Sequence, residues 1–422
     1  MSQLDAMFIL QSRAGHVSHI NFEKLKSLCN LDLVLVGSQT VLEDVAQQGY
    51  MPCLTGSVAV DDVFDFHDIA PAIAGHAKDA GYGAFIVATV NESKNLLVDR
   101  LNAHFGQTQP REIEKFVRKD RMKDFLVSEG LIEGPYTCVD KAAFVAGGRG
   151  YLSEVAARYG YPIFIKPVDM FASKHCARLE NDDTFENFMQ SIALNEPSEF
   201  HIEPFMDGTL YGCDSIVVGG EVVFSQVIQF SHPNVHVHTR SCLGWITVPD
   251  DDPVGQDIHA FSKQVNEQML QSRDGVTHLE AFHHHGHPTF LEISFRPIGG
   301  EPTPFYQRRA NIPLREVHLA LQSGSSFRVP HTTPNHVAYF HLNFGDWPGT
   351  VTGRSLPNIE SSHEIEWFCK PGESVPRNSG FDAFAGSLIL WNSDYAALQR
   401  DFARISEHPA FVTLEKSHAR AV

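Results

Sequence analysis

Cysteine is sparse and unorganised in this chain. Cys29, Cys53, Cys138, Cys176, Cys213, Cys242 and Cys369 form no C-x-x-C, and their odd number and scatter argue against a disulfide framework or a zinc finger. Reduced thiols in a cytoplasmic protein fit better. No apolar run approaches the ~20 residues of a membrane-spanning helix. The start, MSQLDAMFILQSRAGH, lacks the basic segment and long apolar core of a signal peptide. Positive charge is also short: 33 Lys and Arg against 51 Asp and Glu give a net charge of −18. That balance argues against a nucleic-acid-binding face, which needs clustered cations, but leaves room for a local basic pocket. Neither G-x-G-x-x-G nor G-x-x-x-x-G-K-[ST] occurs, so a dinucleotide site of that kind and a P-loop are both unsupported. There is no internal repeat and no low-complexity segment.

What is present reads as a globular enzyme-sized protein. At 422 residues, with 43 % hydrophobic and 20 % charged residues, two to four domains are expected. AMFIL (6–10), LDLVLVGS (31–38) and YGAFIVATV (82–90) are apolar runs of the buried parallel-strand kind, separated by helix-like segments near 21–30, 41–48 and 67–80. Asn91 is placed to cap a further helix reaching about His104. This is a small α/β unit over residues 1–110.

Two carboxylates stand out in residues 279–301, LEAFHHHGHPTFLEISFRPIGGE. Glu280 and Glu292, 12 residues apart, lie on apolar strands either side of a turn. As an antiparallel hairpin, these strands hold both carboxylates among apolar neighbours, which is costly without a partner. A divalent cation such as Mg²⁺ would serve, since it takes carboxylate, water and phosphate oxygens. The alternative is a pair of edge glutamates facing water. Arg296 follows, then Gly299 and Gly300, where backbone can approach a ligand closely.

Other stretches add pieces. Residues 113–135 read as one amphipathic helix stopped by Gly130, with Arg118, Lys119, Arg121 and Lys123 making it the most basic stretch. Its lysines either line a solvated face or point into an anionic site. PIFIKP ends a strand at Lys166, and the loop after it offers Ser173 and backbone amides to an anion. A strand runs into Glu203-Pro204, and two more meet at Gly219-Gly220. In VHVH, strand spacing would put His236 and His238 on one face, beside His232 and Arg240, with solvent-facing polar positions as the plainer reading. His283, His284, His285 and His287 are read as turn residues. Residues 331–422 read as a small α+β unit with strands near 336–344, 364–369 and 384–391 and a helix near 393–405. No chemistry is expected there.

Taken in order, these pieces resemble the ATP-grasp superfamily, most closely its dipeptide-forming L-amino acid ligases. The positions that carry the resemblance are Lys119 ahead of Gly130, Lys166 in GYPIFIKP, Glu203 in EPFMDG, Glu280, and Glu292 with Arg296 in LEISFRPIGG. The resemblance implies a mixed α/β and α+β chain. A pre-ATP-grasp α/β domain (1–110) precedes an ATP-grasp domain (111–330, its lid about 150–205) and a C-terminal α+β subdomain (331–422). It implies that Lys119, Lys166 and Ser173 contact ATP phosphates, and that Glu203, Phe205 and Met206 hold the adenine end. Glu280 and Glu292 would bind Mg²⁺, with Mn²⁺ as a substitute. Arg296 would steady the reacting carboxylate, Gly299 and Gly300 would contact substrate, and His236, His238 and Arg240 are catalytic or substrate candidates. The implied reaction joins a small-molecule carboxylate to an amine through an acyl phosphate, in a soluble protein that forms homodimers by analogy. Three positions depart from the family pattern. Ser294 stands where Asn is common, the loop after Lys166 is not glycine-rich, and Leu210 replaces a ribose-binding glutamate, for which Asp207 or Asp214 would have to substitute. A purine-pathway ligase, a non-catalytic ATP-binding protein and a hydrolase built on the histidines are the alternative functions.

Overall fold

The computed structural model of the chain describes residues 4–12, 20–107, 113–133, 136–170, 174–192, 199–271, 273–300, 302–331, 333–344, 348–375 and 384–416. The first unit alternates β1 (Ala6–Leu10), α1 (Phe22–Leu28), β2 (Asp32–Gly37), α2 (Gln39–Gln47), β3 (Gly56–Ala59), α3 (Phe66–Ala80), β4 (Phe85–Ala88) and α4 (Asn95–His104). Its strands form a parallel sheet in the order β3-β2-β1-β4, with Ala6 opposite both Asp32 and Phe85. β1 is buried along its whole length, as continuous apolar strands between two helical layers should be. The expected strands and helices are there, and β3 is additional. Asn91 makes no side-chain cap; its amide donates instead to Ser12 Oγ.

The expected helix over 113–135 is two pieces. A 3-10 turn (Ile113–Phe116) and α5 (Lys119–Ser128) are separated by Arg118, whose backbone is extended. The break turns Lys119 to the first position of α5, where its N–H reaches the Val168 carbonyl at 2.8 Å. Gly130 does end the segment, in a left-handed conformation. The Thr108-Gln-Pro-Arg linker lies outside the described residues.

A second sheet follows from β5 (Thr137–Asp140), α6 (Lys141–Tyr159, two pieces meeting at Gly148), β6 (Ile163–Pro167), β7 (Ala177–Leu179), α7 (Asp182–Ser191) and β8 (Glu199–Pro204). The strands are antiparallel in the order β5-β8-β6-β7, with α6 and α7 packed on one face.

The remainder is dominated by one antiparallel sheet. It is built from β9 (Thr209–Val218), β10 (Glu221–Phe230), β11 (Cys242–Thr247), α8 (Pro253–Met269), β12 (Gly275–His284), β13 (His287–Ser294), α9 (Pro302–Ala310), α10 (Leu314–Gln322), β14 (His336–Leu342), β15 (Gly349–Arg354), β16 (Ser362–Trp367), β17 (Ser374–Val375), β18 (Gly386–Asn392), α11 (Tyr395–Ser406) and β19 (Val412–Lys416). Eight strands run β13-β12-β9-β10-β11-β14-β18-β16, and β17-β15-β19 form a small separate sheet. Alternation sorts the two faces of β9: Cys213 and Val217 meet α5 and α8, while Ile216 meets α9 and α10.

Two expectations are corrected here. VHVH lies in a 3-10 turn, Asn234–His238, so His236 and His238 do not share a strand face. The C-terminal strands β14, β18 and β16 continue the sheet of the β12–β13 hairpin at its far end. The hairpin forms, but it turns at His285-Gly286 alone, both left-handed, so of the four histidines read as turn residues His283 and His284 end β12 and His287 begins β13.

Gly244 marks how closely the middle of this sheet is packed: a Cβ there would strike the Phe340 ring and lie 2.5 Å from the Tyr339 carbonyl. Gly244→Ala should therefore cost about 1–3 kcal/mol of stability. Urea denaturation would check this, and an unchanged midpoint would mean that β11 and β14 have room that the structure does not show.

Candidate active site

A cavity of about 520 Å³ opens between the second sheet, one face of the central sheet, and residues 90–93 after β4. β12 and β13 hold Glu280 directly opposite Glu292, and both line the cavity. Like charges facing each other across a strand pair repel unless a cation lies near. Lys119 Nζ is 3.8 Å from Glu292 Oε2. Glu280 Oε1 accepts a 2.8 Å bond from Asn234 Nδ2 and lies 3.2 Å from His278 Nε2. Two residues before Glu280 on the same strand, His278 shares its face. Its Nδ1 is 3.2 Å from Asp214 Oδ1, and Asp214 also accepts from the Tyr306 hydroxyl at 2.6 Å and the Ile298 N–H at 3.0 Å. Gly212 makes room for this ring, since a Cβ there would lie 2.9 Å from His278 Cε1. Burial opposes a charge on His278, but Asp214 and Glu280 outweigh it and push its pKa up to about 9. The imidazolium then donates to both carboxylates. Asp214 is spent in this chain, so it is not available to replace the missing ribose glutamate.

This donor set fits Mg²⁺. Two carboxylates converge on one cavity, and no cluster of three or more His, Cys, Asp or Glu forms a protein-only cage among the described residues. Mg²⁺ takes one or two carboxylates and completes its shell with phosphate and water oxygens. The histidine-rich hairpin does not compete: His283 faces Asp257 at 3.5 Å.

The cationic side is built on α5, β6 and β8. Glu203 Oε1 is 2.9 Å from Lys166 Nζ, Lys123 Nζ donates to Oε2, and His201 Nε2 is 3.4 Å away. All are buried. Burial would neutralise Glu203, yet Lys123 and Lys166 hold its carboxyl well below the usual range. Burial lowers Lys166 too, but Glu203 and Glu292 outweigh it and leave its pKa raised. Lys166 sits against Glu203 out of hydrogen-bond alignment, and its ammonium has no hydrogen-bond partner among the described residues. A buried ammonium on a cavity wall with unspent N–H groups fits an anionic ligand. Lys119 adds a second cation, braced by a 2.6 Å bond to the Met170 carbonyl.

Arg296 is held from the first unit. Its Nε donates to Glu92 Oε2 at 2.8 Å, and Ser294 Oγ donates to Glu92 Oε1 at 2.8 Å. Burial opposes the Glu92 charge, but Arg296 and Lys119 keep its pKa lowered. Ser294, at the position where Asn is common, is therefore tied to Glu92.

The structure brings Lys119, Lys166, Glu203, Phe205, Met206, Glu280, Glu292, Arg296, Gly299, Gly300 and His236 to this one cavity. Glu203 differs from expectation in detail, because its carboxylate is committed to lysines. The Phe205 N–H is likewise spent, on the Pro162 carbonyl at 3.0 Å, so Phe205 presents its ring, which carries Arg178 at 4.3 Å. His236 is at the rim, and burial and Arg240 lower its pKa. Arg240 is exposed and not on the cavity wall. Ser173 and the side chain of His238 lie outside the described residues. Glu92 and His278 were not anticipated, and Lys123 was anticipated only as one lysine of the basic stretch. Lys123 had a signal, one helical turn after Lys119, and His278 had a weaker one in the H-x-E alternation; Glu92 had none. His341 and Phe384 of the C-terminal unit also line the cavity.

No family model matches the chain. Among curated proteins it is 20 % identical over 316 residues to the carbamoyl phosphate synthase large chain of a Nostoc species, covering 70 % of this chain and 27 % of that one. It is 32 % identical over 68 residues to an ATP-grasp enzyme of Aspergillus fumigatus, covering 16 % and 12 %. The chain thus spans well under a third of each curated relative. Among solved structures, the L-amino acid ligase from Bacillus licheniformis superposes with a TM-score of 0.77 at 13 % identity, over 99 % of this chain and 100 % of that one. The biotin carboxylase domain of Hydrogenobacter thermophilus 2-oxoglutarate carboxylase, solved with MgADP and bicarbonate, gives 0.65 at 14 % identity over 98 % and 92 %.

Glu203 yields a test of the buried cluster. Glu203→Gln strands two buried ammoniums and should cost about 3–5 kcal/mol in chemical denaturation. Because the folded-state pKa of Glu203 is depressed, its contribution is present above the ordinary value of 4.5 and lost as pH falls through the depressed one. The gap between wild type and Glu203→Gln should therefore narrow below pH 4.5. A gap that stays constant on acidification would contradict the assignment.

Proposed function

We propose that this chain, which has the ATP-grasp fold, is an ATP-dependent carboxylate–amine ligase that releases ADP and phosphate, its product a dipeptide or related amide. The observation that supports this most is the convergence of Lys119, Lys166, Glu280, Glu292 and Arg296 on one cavity.

In this reading Lys166 and Lys119 neutralise the ATP phosphates, with Glu203 and the Met170 carbonyl fixing where the two ammoniums stand. Phe205, Met206 and Arg178 border the adenine end. Glu280 and Glu292 hold Mg²⁺, which supplies charge neutralisation on the transferring phosphoryl oxygens when bound. His278 and Asn234 bond Oε1 of Glu280 and set the orientation of its carboxylate. Arg296, set by Glu92, steadies the carboxylate whose oxygen attacks the γ-phosphorus as the bond to ADP breaks. The amine then attacks the acyl carbon and phosphate leaves. Phosphorylation is needed because an unmodified carboxylate has no acceptable leaving group. His236, uncharged at neutral pH, is assigned to accept the amine's proton. Fixed donors that cost no reorganisation during reaction are the physical basis of the rate enhancement.

ATP-dependent phosphate release, screened over amino acids singly and in pairs with products identified by mass, tests the reading. Release should require a carboxylate and an amine, with a product lighter than their sum by one water. Absence of ATP binding would refute it. Glu292→Gln should lose roughly 10²-fold or more in turnover while ATP still binds, and Lys166→Met should weaken ATP binding itself. A Glu292→Gln enzyme with wild-type turnover would remove Glu292 from the metal site.

A further inference from the structure

ATP and Mg²⁺ account for the lysines and carboxylates of the cavity but not for its ring-lined wall. Trp245 on β11 lies flat on Tyr339, with centroids 4.6 Å apart, and meets the edge of His341 at 5.8 Å. His341 on β14 lies parallel to Phe384 at 4.0 Å and 12°. Phe230 closes on Trp245 at 6.2 Å, and Leu243 fills the gap below Phe384. Trp245, His341, Phe384, Phe230 and Leu243 all line the cavity and are all buried. Burial first, and then Arg315, push the His341 pKa down to about 3, so its ring is neutral. The rings themselves are therefore flat-faced and uncharged at neutral pH, and the Arg315 guanidinium beside them, which also lines the cavity, donates to the Gly300 carbonyl.

This wall abuts the segment that carries Arg296. A Cβ on Gly300 would lie 2.6 Å from His341 Nε2 and 3.0 Å from Trp245 Cη2, so only glycine fits there. Gly299 is the opposite case. It lines the cavity, its backbone is not left-handed, and a Cβ on it would meet no atom within 4 Å. Gly299 is exposed where it borders the cavity, so the space beside it is open.

We propose that the acyl substrate carries an aromatic side chain, which packs on Trp245, His341 and Phe384 in the space that Gly299 leaves open. This rests on the ligase reading of the cavity. Aromatic pairs prefer offset or edge contacts at 4.5–7 Å between centroids, which such a wall can offer a flat ring. A cationic side chain would be desolvated there beside the like charge of Arg315.

Two readouts separate the inference from the reading beneath it. Calorimetric binding of phenylalanine, tryptophan, alanine, aspartate and lysine to the full-length protein with ADP and Mg²⁺ tests the pocket, and phosphate release from ATP tests the ligase. Phenylalanine and tryptophan should bind at least tenfold more tightly than alanine, aspartate and lysine. Gly299→Val should melt with the wild type and lower the aromatic-to-alanine affinity ratio tenfold or more, with Gly299→Ala between the two. Selective aromatic binding without phosphate release upholds the pocket and overturns the ligase. Phosphate release with small or charged amino acids in preference to aromatic ones upholds the ligase and overturns the pocket. An aromatic-to-alanine ratio that Gly299→Val leaves unchanged, or no aromatic preference in the wild type, also overturns the pocket.

Discussion

Two like charges face each other across a strand pair, and much of the site is arranged around that cost. Glu280 and Glu292 would not be tolerated at opposed positions beside a buried sheet face without compensation. The compensation comes from three directions. Asn234 reaches in from the 3-10 turn, His278 stands on the same strand, and Lys119 arrives from the first turn of α5. Each occupies part of the carboxylate periphery and none sits as a third ligand between the two. A small hard cation that brings its own oxygens, as proposed for this cavity, would complete the compensation.

The second sheet manages charge differently. Its buried Glu203 is not left for a ligand; it holds two lysines at once, one from β6 and one from α5. A carboxylate that is fully engaged serves to place ammoniums, and an ammonium left out of hydrogen-bond alignment keeps its donors unspent. The cavity therefore has an acidic wall on the central sheet and a basic wall made jointly by α5 and the second sheet. A polyphosphate with its counter-ion is complementary to that division.

What could be read from the chain and what could not follows the range of the interactions. Glu280, Glu292, Lys166 and Arg296 were legible because each belongs to a strand or turn whose local pattern announces it. Glu92 was not, because Ser294, which donates to it, lies 202 residues away along the chain. His341 and Phe384 look like ordinary strand and loop residues until β14 is seen to extend the hairpin's sheet. VHVH misled because strand spacing and 3-10 spacing cannot be told apart over five residues. The basic stretch after 113 misled because nothing local shows that Arg118 turns extended so that Lys119 can begin a new helix. The three helices between 253 and 322, α8, α9 and α10, pack the two sheet faces and support the site without contributing a local motif to it.

The grip of Glu92 on Arg296 and Ser294 has a consequence for how such a chain can be recombined. The first unit looks self-contained, with its own parallel sheet and its own core. Yet its seam with the central sheet runs along the cavity at Glu92 and Arg296, reinforced by Asn95 on the Phe295 carbonyl, Arg273 on Asp99 and Gln322 on Thr89. A chimera that exchanges the N-terminal unit for that of a relative exchanges the carboxylate that aims the arginine. Modular inheritance of this unit is therefore constrained to carry Glu92, Ser294 and Arg296 together, and its boundary is a functional joint before it is a structural one.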